Sequence, residues 1–336
     1  MGIKSSKQEP QRIIEPKQKD IDFAENSLRP KTLQDYVGQE QLKKHLSVSI
    51  ASAKMRKASL EHILFYGPPW LGKTTLSNIL AFEMGTHLRV TSGPAIEKQS
   101  DLVSILSNLE AWDILFIDEI HRLRPQIEEI LYTAMEDFVI DIMVGKWTGA
   151  QSVRMPVNSF TLVGATTKLS ALSSPLRDRF GNVMKLDFYT QSELQSIVVK
   201  NATQLGIEIT SDLANAVAVR SRGTPRITNR LLKIVRDYQI IWVNLDSPEA
   251  FEKMFWDLWV DHLGLDYLDK KYLETLQKKF AGWPVGLGTL ASSLWEEEAT
   301  IEDVVEPYLL QIWFLERSAR GRKLTQLAED HLTKKL

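Results

Sequence analysis

Apolar positions fall into two registers along this chain. From Leu28 to residue 190, short runs rich in β-branched and aromatic residues alternate with stretches of helical period: HILFYG (62–67), THLRVTSG (86–93), WDILFID (112–118), FTLVGATT (160–167) and VMKLDFYT (183–190). Such alternation predicts right-handed βαβ crossovers and a parallel sheet covered on both faces, an α/β domain over 28–190. After the third run, DFVIDIMVGKWTGAQSVRMPV holds two β-type runs around a Gly- and Thr-containing turn and predicts a projecting hairpin at about 139–156. From 191 to 262 only the helical period remains. Thr190 or Ser192 is the expected cap of its first helix, and Thr224 with Pro225 the expected start of another. Residues 263–336 read as a third unit of short helices with a terminal hairpin. Residues 1–27, polar and lysine-rich, read as a disordered tail.

Composition narrows the class more than the function. With 336 residues, 43% apolar and 25% charged, the chain suits a globular protein with more than one core. A net charge of -2 gives no bulk attraction for nucleic acid, but the last twenty residues hold six basic against two acidic side chains. The lack of cysteine excludes disulfides and Cys-based zinc sites. With no apolar run of membrane-spanning length and no signal-peptide core, the expectation is a cytoplasmic protein without a membrane partner.

Chemistry enters at HILFYGPPWLGKTTL. Gly67, Gly72, Lys73 and Thr74 satisfy G-x-x-x-x-G-K-[ST] between a strand and a helix, with Thr75 next in the helix. Glycines let backbone N–H groups face phosphates, the helix N-terminus adds partial positive charge, Lys73 reaches the β and γ oxygens, and Thr74 coordinates Mg²⁺. In DILFIDEIHRL, Asp118 is expected to hold Mg²⁺ and Glu119 to polarise the attacking water, with His121 in a structural role. Thr166 and Thr167 end a strand where the γ-phosphate and its water are expected. Arg177 and Arg179 follow in SSPLRDRFG, and in a ring of ATPases an arginine there enters the neighbour's site.

Together these motifs resemble the AAA+ ATPases. In order over about 28–325, SLRPKTLQDYVGQEQ, LFIDEIHRL, GATT, SPLRDRFG, RGTPRITNRLL, PVGLGTLA and TIEDVVEPYLLQ are similar to its RuvB family, the motor ATPases of bacterial Holliday junction branch migration. The resemblance implies an AAA+ P-loop domain, a small all-helical lid over 191–262 and a C-terminal winged-helix domain over 263–336. It implies ATP and Mg²⁺, a homohexamer, four-way junction and duplex DNA, a RuvA-like junction-binding partner docked on the 139–156 hairpin, and a RuvC-like resolvase in the same complex. Leu28 and Arg29 are expected at the adenine, Tyr189 near the base, Arg226 as the lid's γ-phosphate sensor, and Arg179, which precedes Phe180-Gly181, as the arginine finger. Glu136, Asp137 and Phe138 are further expected nucleotide contacts, and Arg317 and Arg322 are expected on DNA phosphates.

Several positions depart from the family. Glu298 stands where arginine is usual and Gly288 where aspartate is expected, while Trp70, Trp112, Trp147, Trp259, Trp283, Trp295 and Trp313 stand at family glycines. Seven of nine tryptophans replacing one residue type fits a UGA codon read as tryptophan in a lineage that reads it as glycine, which the coding DNA decides. Two other functions fit the same motifs: a clamp-loader-type switch acting on a protein ring, and a non-hydrolysing nucleotide-binding scaffold if Trp70 is genuine.

Overall fold

The computed structural model describes residues 28–144, 151–241 and 244–333. The tail expected over 1–27 and Trp147 lie outside these residues. All five apolar runs form strands of one parallel sheet: β1 (Ile63–Tyr66), β2 (Leu88–Ser92), β3 (Ile114–Asp118), β6 (Thr161–Thr166) and β7 (Asn182–Lys185), in the order β2-β3-β6-β1-β7. Period-two alternation assigns the two faces. Ile63, Phe65 and Phe116 pack against α1 (Glu40–Arg56) and α2 (Lys73–Met84). Leu64, Leu115, Ile117 and Leu162 pack against α3 (Gln99–Ser107) and α4 (Pro125–Glu136). Tyr66 pairs with Thr166 and Ile117 with Gly164, so the C-terminal ends of β1, β3 and β6 share one edge. β4 (Val139–Val144) and β5 (Gln151–Pro156) form the antiparallel hairpin, and the short α5 (Ser174–Asp178) follows β6.

Four helices, α6 (Gln191–Leu205), α7 (Ser211–Arg220), α8 (Pro225–Ile240) and α9 (Pro248–Asp257), surround a separate core that includes Val217, Leu231, Val235 and Phe255. Thr190 caps α6 in a capping box with Glu193. Thr224 stands at the start of α8, but its hydroxyl donates to Ser221 O at 3.1 Å, so Pro225's fixed φ rather than a side-chain cap starts that helix. A third core, around Tyr272, Leu290 and Leu309, joins α10 (Tyr267–Lys278), α11 (Leu287–Leu294), a rod in which α12 (Glu298–Thr300) passes through a π-helical turn (Ile301–Val305) into α13 (Glu306–Gln311), the hairpin β8 (Leu315–Ser318) and β9 (Gly321–Leu324), and α14 (Gln326–Thr333). Among the described residues no helix is long and apolar enough to cross a membrane.

The tryptophans sit where the backbone selects glycine. Trp70, Trp112, Trp259, Trp295 and Trp313 have φ of 69, 73, 60, 61 and 59°, all left-handed, and of the suspect positions described only Trp283 does not. Trp295 ends α11, and its N–H donates to Ala291 O, just as left-handed Gly85 and Gly206 end α2 and α6. Glycine dominates this terminating position because a Cβ there costs about 1–2 kcal/mol. We expect Trp295→Gly, at a side chain 91% exposed, to raise stability by about 1 kcal/mol. Trp256→Gly, inside α9 and 78% exposed, should lower stability by about as much. Urea unfolding of the full chain checks this, and an equal loss from both changes would contradict it.

Candidate nucleotide site

Gly67 leaves β1 at φ 144°, close against the neighbouring strand: a Cβ on it would lie 2.5 Å from Leu186 O. Its N–H donates to Thr166 O at 3.2 Å. The loop ends at Gly72, left-handed at φ 95°, and α2 begins with no side chain capping it. The first-turn N–H groups are thus left for a ligand. Lys73 Nζ donates to Gly67 O at 2.7 Å and Pro68 O at 2.8 Å, and burial pulls its pKa down to about 8 against the opposing pull of Asp118. A cavity of about 380 Å³ opens here, lined by Arg29, Trp70, Gly72, Lys73, Thr74, Thr75, Asp118, Glu119, Thr167, Asn229 and Arg226 among others. Uncapped amides, an ammonium and two arginines suit a polyphosphate, and a carboxylate beside a hydroxyl suits its cation.

The carboxylates are held by local strain. Glu119 is left-handed at φ 47°, its N–H donating to Asp118 Oδ1 at 2.9 Å, and its Oε2 accepts from Arg122 at 2.9 Å. The bend fits only because Gly93 lies beneath it: a Cβ there would stand 2.5 Å from Glu119 O. The two threonines divide, contrary to the expectation that both face the phosphates. Thr167 lines the cavity, whereas Thr166 is buried with Oγ1 2.9 Å from His121 Nδ1 and accepts the Lys168 N–H at 3.0 Å. Burial also lowers the pKa of His121, in keeping with a structural role.

A second cavity of about 370 Å³ adjoins the first, and Arg29, Gly72, Thr75 and Asn229 border both. Leu28, Tyr36, Tyr189 and Ile197 line its walls, with Tyr189 donating to the Tyr36 hydroxyl at 2.7 Å. Apolar and aromatic walls with polar groups such as Asn201, Gln204 and Asn229 among them suit a base. Tyr36, Asn229, Gly93 and Arg122 were not foreseen. Only the glycine could have drawn notice, as one that ends a strand.

Three domain families match in series: residues 28–186 match the Holliday junction DNA helicase RuvB P-loop domain, 189–247 the RuvB AAA lid domain, and 262–333 the RuvB C-terminal winged helix domain. The Holliday junction branch migration complex subunit RuvB of Dehalococcoides mccartyi (strain CBDB1) is 53% identical over 328 residues, 97% of this chain and 94% of that protein. The chain belongs to the RuvB family. The Thermotoga maritima RuvB Holliday junction branch migration motor superposes at a TM-score of 0.83 with 47% identity, covering 91% of this chain and 98% of that one, and a point mutant of it at 0.84. The chain is thus an ATPase of the RuvB branch migration class.

Within the RuvB frame, some expected contacts do not reach the chain's own nucleotide cavity. Arg179 borders a separate cavity with Glu61, His62 and Phe138 at the start of β1, whereas the phosphate loop leaves that strand's end, roughly 16 Å away at strand rise. It pairs with Glu136 at 3.2 Å, donates to Pro175 O at 2.8 Å and lies over the Tyr132 ring. Glu136, Asp137 and Phe138 belong to this far side, because α4 runs from the phosphate edge to the opposite one, and Asp137 faces Arg154 at 4.0 Å. Arg317 and Arg322 are not free cations: their Nε atoms donate to the buried Glu306 at 2.7 and 3.0 Å. Gly288 and Glu298, the paired departures, are neighbours, since a Cβ on Gly288 would stand 3.0 Å from Glu298 Oε1. An aspartate there would face a carboxylate, so glycine at 288 accommodates glutamate at 298.

The lysine makes nucleotide binding pH-dependent. Above pH 8 the free protein holds Lys73 neutral, whereas polyphosphate requires the ammonium, so binding takes up a proton. ATP affinity should be level below about pH 7 and fall by up to about tenfold per unit above pH 8. Titration with a fluorescent ATP analogue from pH 6.5 to 9.5 measures this, and a flat profile would contradict it.

Proposed function

We propose that six copies of this chain form a ring that hydrolyses ATP with Mg²⁺ and draws duplex DNA through a four-way junction held by a RuvA-like protein, with a RuvC-like resolvase in the same complex. The observation that carries the reading is the meeting of Lys73, Thr74, Asp118 and Glu119 around one cavity at the sheet's C-terminal edge in a RuvB-family chain.

Thr74 and Asp118 would hold the magnesium, which neutralises phosphate charge when bound. Lys73 exchanges its two carbonyl partners for phosphate oxygens. Glu119, its Oε2 held by Arg122, takes the water's proton on Oε1. Arg226, at the start of α8, ties the lid to the phosphates. Arg179 enters a neighbour's cavity, with Glu136, Asp137 and Phe138 beside it, and the 139–156 hairpin docks the junction-binding partner. Arg317 and Arg322 reach DNA phosphates by giving up part of their hold on Glu306. The left-handed Trp70 in the phosphate loop favours a second reading, nucleotide binding without turnover.

Dissociation of a synthetic four-way junction, dependent on ATP and a RuvA-like protein, tests the proposal. The unaltered chain should dissociate it. Glu119→Gln should bind ATP as before yet turn over at least about 100-fold more slowly. Binding without turnover by the unaltered chain would favour the scaffold, and ATPase stimulated by a protein ring but not by a junction would favour the clamp-loader class.

A further inference from the structure

Lys168 directly follows the threonine pair at the end of β6, and its N–H fixes Thr166. Its side chain crosses to the winged-helix unit, with Nζ 3.5 Å from Glu302 Oε2 and 3.3 Å from Asp303 Oδ1. Both acids lie in the π-helical turn of the rod that runs from α12 to α13. Glu302 Oε1 also stands 3.9 Å from Arg317 and 3.8 Å from Arg322, and Glu306, one turn on, accepts from both arginines. The same rod lies against the phosphate loop: Asp303, Val304 and Pro307 line a narrow cleft with Pro68, Pro69 and Trp70. The same two turns of one short rod thus touch both the phosphate loop and the basic hairpin β8–β9, with Glu302 meeting Lys168 and the two arginines together.

We propose that Lys168, through Glu302 and Asp303, couples the nucleotide site to the hairpin carrying Arg317 and Arg322, so that the occupancy of one sets the cation display of the other within a single subunit. Lys168 is a positioning residue, absent from the cavity lining. Exposed ion pairs add little to folding, so these three charges matter chiefly for where they hold the rod. If the strand end shifts with the phosphate state, Lys168 draws on Glu302, and the acid's hold on the two arginines changes with it. Linkage makes the effect reciprocal: whatever factor ATP applies to DNA affinity, DNA applies to ATP affinity.

The inference rests on the ATP and DNA readings above, and the test separates their failure from its own. The full chain, Lys168→Glu, Asp303→Asn and the exchange Lys168→Glu/Asp303→Lys are compared for ATPase with and without duplex DNA, and for duplex affinity with and without a non-hydrolysable ATP analogue. Lys168→Glu should keep DNA-free ATPase within about twofold while its DNA stimulation and the analogue's effect on DNA affinity fall by about fivefold or more. Asp303→Asn should lose less, and the exchange should recover most of the loss. Unchanged stimulation in Lys168→Glu, or an exchange no better than the single change, would overturn the coupling. An unaltered chain with no ATPase or no DNA binding would overturn the functional reading, and the coupling with it.

Discussion

The phosphate loop is fixed from three sides, and the rest of the nucleotide site depends on that fixing. Gly67 donates to Thr166 O on one neighbouring strand, Leu186 N–H donates to Tyr66 O on the other, and Lys73 stitches the loop to itself through the Gly67 and Pro68 carbonyls. A side chain at Gly67 would push the loop off Leu186. Because β1 lies between β6 and β7, one short loop sets its distance to the threonine strand end and, through Leu186 and Tyr189, to the base cavity. The end of α2, capped by no side chain among the described residues, then faces the cavity, the condition for holding phosphate.

The lid completes this site beside the sheet. Arg226 and Asn229 form one wall from α8, and the indole of Trp70 packs against the lid's core. Trp70 is left-handed, at a conformation glycine adopts freely, so it both strains the loop and fastens it to the lid. The other left-handed tryptophans end helices or turns on the surface, where a glycine would carry no strain and lose little packing. The family's glycines at these places thereby acquire a backbone reason at five separate positions.

The fold was legible because buried parallel strands are written as unbroken apolar runs, and the nucleotide motif was legible because its spacing is local. What sequence could not supply was long-range pairing. Nothing periodic shows that Glu306 will claim Arg317 and Arg322, that Thr166 will turn to His121 while Thr167 faces the cavity, or that Lys168 will meet Glu302, 134 residues away. That Glu136, Asp137 and Phe138 lie away from the chain's own cavity was hidden for the same reason: the pattern gives the face of α4 but not the sheet edge at which it ends. Thr224 looked like a cap by residue type, yet its hydroxyl had a nearer carbonyl in Ser221.

Arg179 stands at the far end of β1 from its own phosphates, so in the proposed ring each site is finished by its neighbour. The most direct measurement mixes Arg179→Ala subunits with Lys73→Ala subunits and follows steady-state ATPase, with differently tagged subunits co-purified to establish that mixed rings form. Each variant alone should be nearly inactive. The mixture should recover turnover, because an Arg179→Ala subunit keeps an intact cavity that a Lys73→Ala neighbour can supply with an arginine. Mixed rings that recover no activity at any ratio would contradict the account.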